Sequence, residues 1–254
     1  MKKLILLGIV VGLGYTQRAD ASLLINISAN GDSASCNNSS IAGVIACAIS
    51  GFATSLNANT ISYGPGFSVG GYNFTGASGA ASNVPGDTTF SNLSDSKLSI
   101  THLSGIGDLT IQFAGWNYNL PVGPNMILSA SSTGNWNVAQ AGDLANFQAW
   151  VRDDNSPVIP GGTATVITPV CNSGGPGTTL ACATASPDVP WLRTGASFAI
   201  TGQEIIHQAI GSQASYQATV NVVSSAVPEP ATLSLIGVSL LGLGFMRRRQ
   251  QSRK

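Results

Sequence analysis

Along most of the chain, apolar positions recur at every second residue. Leu109, Ile111 and Phe113 alternate with Thr110 and Gln112, and Tyr216, Ala218, Val220 and Val222 alternate with Ser215, Gln217, Thr219 and Asn221. Leu98, Ile100 and His102 stand in the same way against Ser99 and Thr101, and Ala145, Phe147, Ala149 and Val151 against Asn146, Gln148, Trp150 and Arg152. A period of two sends successive side chains to opposite faces, so each run predicts a half-buried strand. Between the runs lie turn clusters: Gly64-Pro65-Gly66, Pro85-Gly86-Asp87, Pro160-Gly161-Gly162 and Asn172-Ser173-Gly174-Gly175. Short strands punctuated in this way predict an all-β fold, an antiparallel β-sandwich of jelly-roll-like kind. One segment carries two patterns. Thr201-Gly202-Gln203-Glu204 has the form of a helix capping box, with Ile205, Ile206, Ala209 and Ile210 at helical spacing. The rival is a hairpin of residues 204–210 and 215–223, turning at Gly211-Ser212-Gln213. Strand is the expectation, because capping alone adds little to a short helix.

The two ends depart from the alternation. Residues 1–21 carry a charged start at Lys2-Lys3, an apolar segment over 4–13 and a small-x-small site at Ala19-Asp20-Ala21, which predicts a secretory signal peptide cleaved after Ala21. At the other end, Pro228-Glu229-Pro230 precedes an apolar run over 231–246 and then Arg247-Arg248-Arg249. Pro228 and Pro230 lack amide donors and hold their predecessors extended, which suits an exposed handle. The run is apolar on all sides, as suits lipid, and as a helix it reaches about 24 Å against a hydrocarbon core of about 30 Å. Snorkelling arginines and local thinning absorb the difference, and the basic end predicts a cytoplasmic C-terminus. The chain divides accordingly into a signal peptide (1–21), a body (22–225) and a terminal sorting or anchor segment (226–254).

This terminal layout closely resembles the PEP-CTERM sorting signal of Gram-negative bacteria: a Pro-Glu-Pro box, a hydrophobic helix and a basic end. Residues 197–223 loosely resemble the terminal β-segment that leads into such a box. The resemblance implies an inner-membrane intermediate, processing near the box by an exosortase, and display at the cell surface or release into an exopolysaccharide matrix.

Charge narrows the body's partners. Between residues 22 and 229 the basic residues are Lys97, Arg152 and Arg193, against ten acidic ones, a net charge of −7, so the overall neutrality comes from the basic ends. A sparse, net-acidic body argues against nucleic acid and anionic lipid as partners. Scarce Lys and Glu also argue against long surface helices. Four cysteines in an exported body point to disulfides. Cys36 and Cys47 are eleven apart, as are Cys171 and Cys182, and each pair opens on Cys-Asn and closes on Ala-Cys-Ala. Of the three connectivities, the equal spacings favour two local bridges, each contributing about 2–3 kcal/mol.

Candidate chemistry is thin. Gly66-Phe67-Ser68-Val69-Gly70 matches the G-x-S-x-G elbow of α/β-hydrolases, and Asp143 or Asp188 followed by His207 completes the Ser, Asp, His order. The elbow needs a strand, a tight turn and a helix, and Gly71-Tyr72-Asn73-Phe74 does not start one, so a serine hydrolase using Ser68 ranks second to a non-enzymatic body with no catalytic residues. His102 shares a strand face with Leu98 and Ile100, which suits a packed, hydrogen-bonded role. With two histidines and no ligand spacing around them, neither a metal nor another cofactor is expected. Asp153-Asp154-Asn155 offers oxygens to calcium or forms a solvated turn. Trp136 fits the core by parity, whereas Trp116 falls off the Leu109 face unless a bulge near Gly115 resets the register. Trp150 falls on the polar face with Asn146, Gln148 and Arg152, a surface on which a sugar ring could stack. The expectation is an exported matrix or surface protein with an adhesive or glycan-binding role, its glycan contact at Asn146, Gln148, Trp150 and Arg152.

Overall fold

The computed structural model describes residues 22–39, 47–48, 50–54, 59–177 and 180–225. The signal peptide over 1–21 and the terminal segment over 226–254, with Pro228, Glu229, Pro230 and Arg247 to Arg249, lie outside the described residues. Among the described residues no helix is long and apolar enough to cross a membrane.

The fold is all-β, and its strands pair antiparallel in two sheets. The first sheet runs β12 (Thr163–Ala164), β11 (Leu144–Arg152), β16 (Phe198–His207), β9 (Leu109–Tyr118), β1 (Ser22–Ala29), β2 (Asp32–Asn37), with β13 (Cys171–Asn172) also on β11. The second runs β14 (Leu180–Ala185), β10 (Asn125–Val138), β17 (Gln213–Ser224), β8 (Phe90–His102), β7 (Ser78–Ser82), β4 (Thr60–Tyr63), β3 (Phe52–Thr54). Beside it, β15 (Val189–Leu192) pairs with β10, and the hairpin of β5 (Phe67–Val69) and β6 (Tyr72–Phe74) joins β8. Alternate residues of both sheets fill one core: Leu23, Ile25 and Ile27 of β1, Ile111 and Phe113 of β9 and Phe147 of β11 meet Leu93 and Ile100 of β8, Leu128 of β10 and Val220 of β17. Fully burying one such side chain contributes about 1.5–3 kcal/mol, so the core outweighs any single polar contact.

The alternations of 109–113, 145–151 and 216–222 lie as expected, with their apolar members buried. Trp136 is core, edge-on to Tyr216. Two expectations need correction. Residues 198–207 are strand, not helix, but they form no hairpin with 213–224: β16 pairs with β9 and β11, and β17 with β8 and β10. The turn at 208–212 therefore carries the chain from one sheet to the other. The second concerns β8. Leu98 is 50% exposed while Ile100 and His102 are buried. Ser99 has φ of 59°, and the pairing with β17 slips between Ala214 and Tyr216. This bulge resets the parity, so upstream of it Leu93, Asp95 and Lys97 point inward instead. A similar irregularity in β9, with Asn117 at φ 71°, brings Tyr118 into the core and leaves Trp116 half-buried.

Both cysteine pairs are local: Cys36 with Cys47 at a Cα separation of 4.5 Å, and Cys171 with Cys182 at 5.8 Å. The second joins β13 of one sheet to β14 of the other. It packs where β10 has Gly134, at which a Cβ would come within 3.0 Å of Cys171 Sγ and 3.2 Å of Cys182 Sγ.

Candidate functional site

The strand expected to carry a glycan contact keeps its alternation, but its outer face is covered. Asn146, Gln148 and Arg152 are half-buried, and Trp150 is 7% exposed. Trp150 stands in a cross-strand row with Thr201 and Ala114, both buried. Beyond β11 the chain doubles back. Asn155 exchanges hydrogen bonds with Asn117 of β9, which places the turn across β16, and Ala164 then pairs opposite Trp150. The polar neighbours are spent internally: Gln148 Nε2 donates to the Thr165 carbonyl at 2.8 Å, and Arg152 makes a two-point pair with Asp154. Trp150 is therefore a packing residue, and the expected stacking platform is absent from this face.

The Asp153-Asp154-Asn155 segment is a turn whose oxygens face donors of the chain itself. Asp153 accepts from the Thr194 hydroxyl at 3.0 Å and the Thr194 amide at 3.2 Å. The Arg152 guanidinium holds the Asp154 carboxyl below its ordinary range. Among the described residues no group of three or more His, Cys, Asp or Glu side chains could hold a metal ion.

Ser68 sits exposed on β5, next to the Gly70-Gly71 turn of the β5–β6 hairpin, so no helix follows it. Its hydroxyl donates to Asn73 Oδ1 at 3.2 Å. It lines an open groove of about 760 Å³ with Asp32, Ser33, Ser50, Gly51 and Phe67. The other members of the expected order are engaged separately. His207 Nδ1 pairs with Asp108 at 2.7 Å. Asp143 is buried and accepts from the amides of Gln140 and Ala209, both at 2.7 Å, and from the Ser212 hydroxyl at 2.6 Å, which ties the β10–β11 turn to the crossover. Asp188 borders a different groove, with Met126 and Trp191. His102 is buried and stacked on Tyr72 at 4.1 Å, each ring nitrogen facing a backbone carbonyl, of Gln208 or Ser104.

The densest chemistry lies where sequence reading placed none. Lys97 of β8 is wholly buried, its Nζ 2.7 Å from Asp95 Oδ2 and in contact with Glu204 Oε2 from the facing sheet. The Tyr63 hydroxyl donates to Asp95 Oδ1 at 3.3 Å. Glu204 occupies a core row between Phe147 and Ile111. Burial pushes its carboxyl up to about 7 from an ordinary 4.5, with the Lys97 charge opposing and the Asp95 charge adding. Burial pushes the Lys97 amine down, but the two carboxylates together outweigh it and raise it. Burial disfavours the charged form of both partners, and at Glu204 it prevails over the Lys97 charge. A signal existed: Leu93-Ser94-Asp95-Ser96-Lys97 alternates, so with Leu93 inward, Asp95 and Lys97 follow.

Compared with known families, residues 226–249 match the model of the PEP-CTERM protein-sorting motif. No curated protein matches the chain. The motif marks a protein that exosortase processes and that is carried by way of the membrane to the cell surface.

Proposed function

Proceeding from a PEP-CTERM motif at residues 226–249, we propose that the protein is a non-enzymatic structural component of the cell surface or of its exopolysaccharide matrix in a Gram-negative bacterium. The observation that carries the reading is a sorting motif joined to a stapled β-sandwich in which Ser68, His207 and Asp143 each hold a different partner. A hydrolase needs nucleophile and base within hydrogen-bond reach, with the base oriented by a third group. Here the hydroxyl that would act as nucleophile is bonded to Asn73. The net-acidic, amide- and hydroxyl-rich surface supports contact with neutral polysaccharide rather than with nucleic acid. Adhesion to matrix polysaccharide is part of this reading, through exposed polar surface and not through Trp150.

The test uses the protein extracted from its host's surface. Retention on the host exopolysaccharide should exceed retention on an unrelated glucan, and hydrolysis of chromogenic esters should stay at the level of buffer. An ester hydrolysis that disappears in Ser68→Ala while thermal unfolding is unchanged would replace this reading with the hydrolase. Equal passage over both polysaccharides would remove the adhesive part.

A further inference from the structure

The two sheets meet at a point where one amine faces two carboxylic groups and an apolar wall. The side chains of Lys97, Asp95 and Glu204 are 0%, 0% and 4% exposed. Phe113 lies with its ring centre 6.0 Å from Lys97 Nζ, and Tyr216 stands beside Lys97 in the cross-strand row. A buried charge cluster recovers its desolvation only with very good geometry, and hydrophobic replacements are often as stable. Stability alone is therefore a weak reason for three ionisable side chains here. Their placement matches a reaction: a nucleophile, an electrophilic carboxyl on the opposite sheet, and a second carboxyl beside the nucleophile.

We propose that Lys97 and Glu204 condense to an amide between Nζ and Cδ, a covalent staple between the two sheets, with Asp95 as the proton carrier. The first proton passes from the Lys97 ammonium to the Glu204 carboxylate, which leaves a neutral amine against a neutral acid. The two carboxylates keep the resting proton on Lys97, while burial disfavours charge on both groups and lifts Glu204 well above its ordinary range, which brings the neutral pair within reach. The amine lone pair attacks Glu204 Cδ. Asp95 takes a proton from the nitrogen as the C–N bond forms and delivers it to the departing hydroxyl oxygen. The C–O bond breaks, one water leaves, and Asp95 is a carboxylate again. The three groups carry one net negative charge before and after, and nothing is oxidised or reduced.

Well-oriented intramolecular partners react as if present at about 10⁵–10⁸ M, and the packed core holds back the water that hydrolysis would need. Glu204 rather than Asp95 is the acceptor on two grounds. Asp95 lies two residues from Lys97 on the same strand, so an amide there would tie nothing together, and its other oxygen already accepts from Tyr63. Glu204 is in contact with Nζ from the facing sheet, on β16 against β8. The staple would sit mid-core, while Cys171–Cys182 joins the sheets at an edge. Unlike a disulfide, it resists a reducing environment.

The test is peptide mass mapping of the full-length chain and of the surface-extracted protein, after reduction of the disulfides. The expected result is a branched peptide joining the segments that hold Lys97 and Glu204, lighter than their sum by one water, with tryptic cleavage lost at Lys97. In Asp95→Asn, folding cooperatively by near-UV circular dichroism and thermal melting, the same segments should be recovered as linear peptides. Linear peptides throughout from folded wild-type protein would overturn the proposal, and so would a branch at Asp95. The wild-type result decides the matter even if a variant fails to fold.

Discussion

At Gly202 two aromatic rings occupy the space that a side chain would need. The Phe113 and Phe147 rings stack at 5.8 Å, and a Cβ on Gly202 would come within 2.7 Å of one and 2.9 Å of the other. Gly202→Ala should therefore destabilise by about 1–3 kcal/mol, the usual range for overpacking, as a shift in the denaturant midpoint at unchanged slope. Two positions further on, Glu204 makes a prediction of opposite type, one about pH. Its folded carboxyl is raised to about 7 from 4.5, with burial as the largest cause. A raised acid binds more protons folded than unfolded, so its contribution is fully present below about 4.5 and is lost as pH rises towards 7. A chain in which the amide cannot form, such as Asp95→Asn, should lose melting temperature as pH rises above about 4.5, over a window whose upper end is lowered by the loss of the Asp95 charge. Wild-type protein, with the carboxyl consumed, should show no such decline. If both chains decline alike, the carboxyl is still titrating in wild type and the amide is absent. Residue identities hinted at this cluster but could not place it. Asp95 and Lys97 look like surface residues until Leu93 fixes their face, and Glu204 faces them from a strand more than a hundred positions away.

The strand is the scale at which sequence periodicity was most informative and also where it misled. Period two marked β11, β17 and β9 as far as Phe113 correctly because their inward faces are uninterrupted over those runs. In β8 the pattern is equally regular on each side of the bulge, and one extra residue at Leu98-Ser99 swaps the faces without leaving a composition signal, since Ser99 is an ordinary strand residue apart from its positive φ. Leu98→Lys tests the corrected register. With the side chain 50% exposed, the change should lie within about 0.5 kcal/mol of wild type, whereas Ile100→Lys, at a fully buried site, should abolish cooperative unfolding. A collapse of Leu98→Lys would restore the simple alternation. The same limit explains Trp150 and the supposed hairpin of 198–224. Alternation says which side of a strand a residue is on. It does not say what covers that side, nor which sheet the strand joins, because both depend on partners distant in sequence. The cysteines escaped the limit: an interval of eleven within each pair is a local constraint, and the structure pairs them accordingly.

For the molecule as a whole, what was most legible is the address. A Pro-Glu-Pro box, an apolar run and three arginines are contiguous, so their meaning does not wait on folding, and the family match covers the same stretch, 226–249. The body's role is spread over strands that say only that they pack. Its first strand starts at Ser22, directly after Ala19-Asp20-Ala21, and its last ends at Ser224, with Ser225, Ala226 and Val227 between it and Pro228. β1 pairs with β9 from Ser22 onward, and β17 pairs with β10 as far as Ser224. Cleavage at either side would therefore leave the ladders and the core of the described residues whole. Protein extracted from the host surface should accordingly begin at Ser22 and lack residues 233–254, and it should melt at the temperature of the full chain within about a degree, since changes away from the core alter stability little. Intact mass spectrometry of the surface fraction settles the two ends. Recovery of the whole tail in an inner-membrane fraction, with none at the surface, would show that Pro228-Glu229-Pro230 is not being processed and that residues 226–254 act as a permanent anchor.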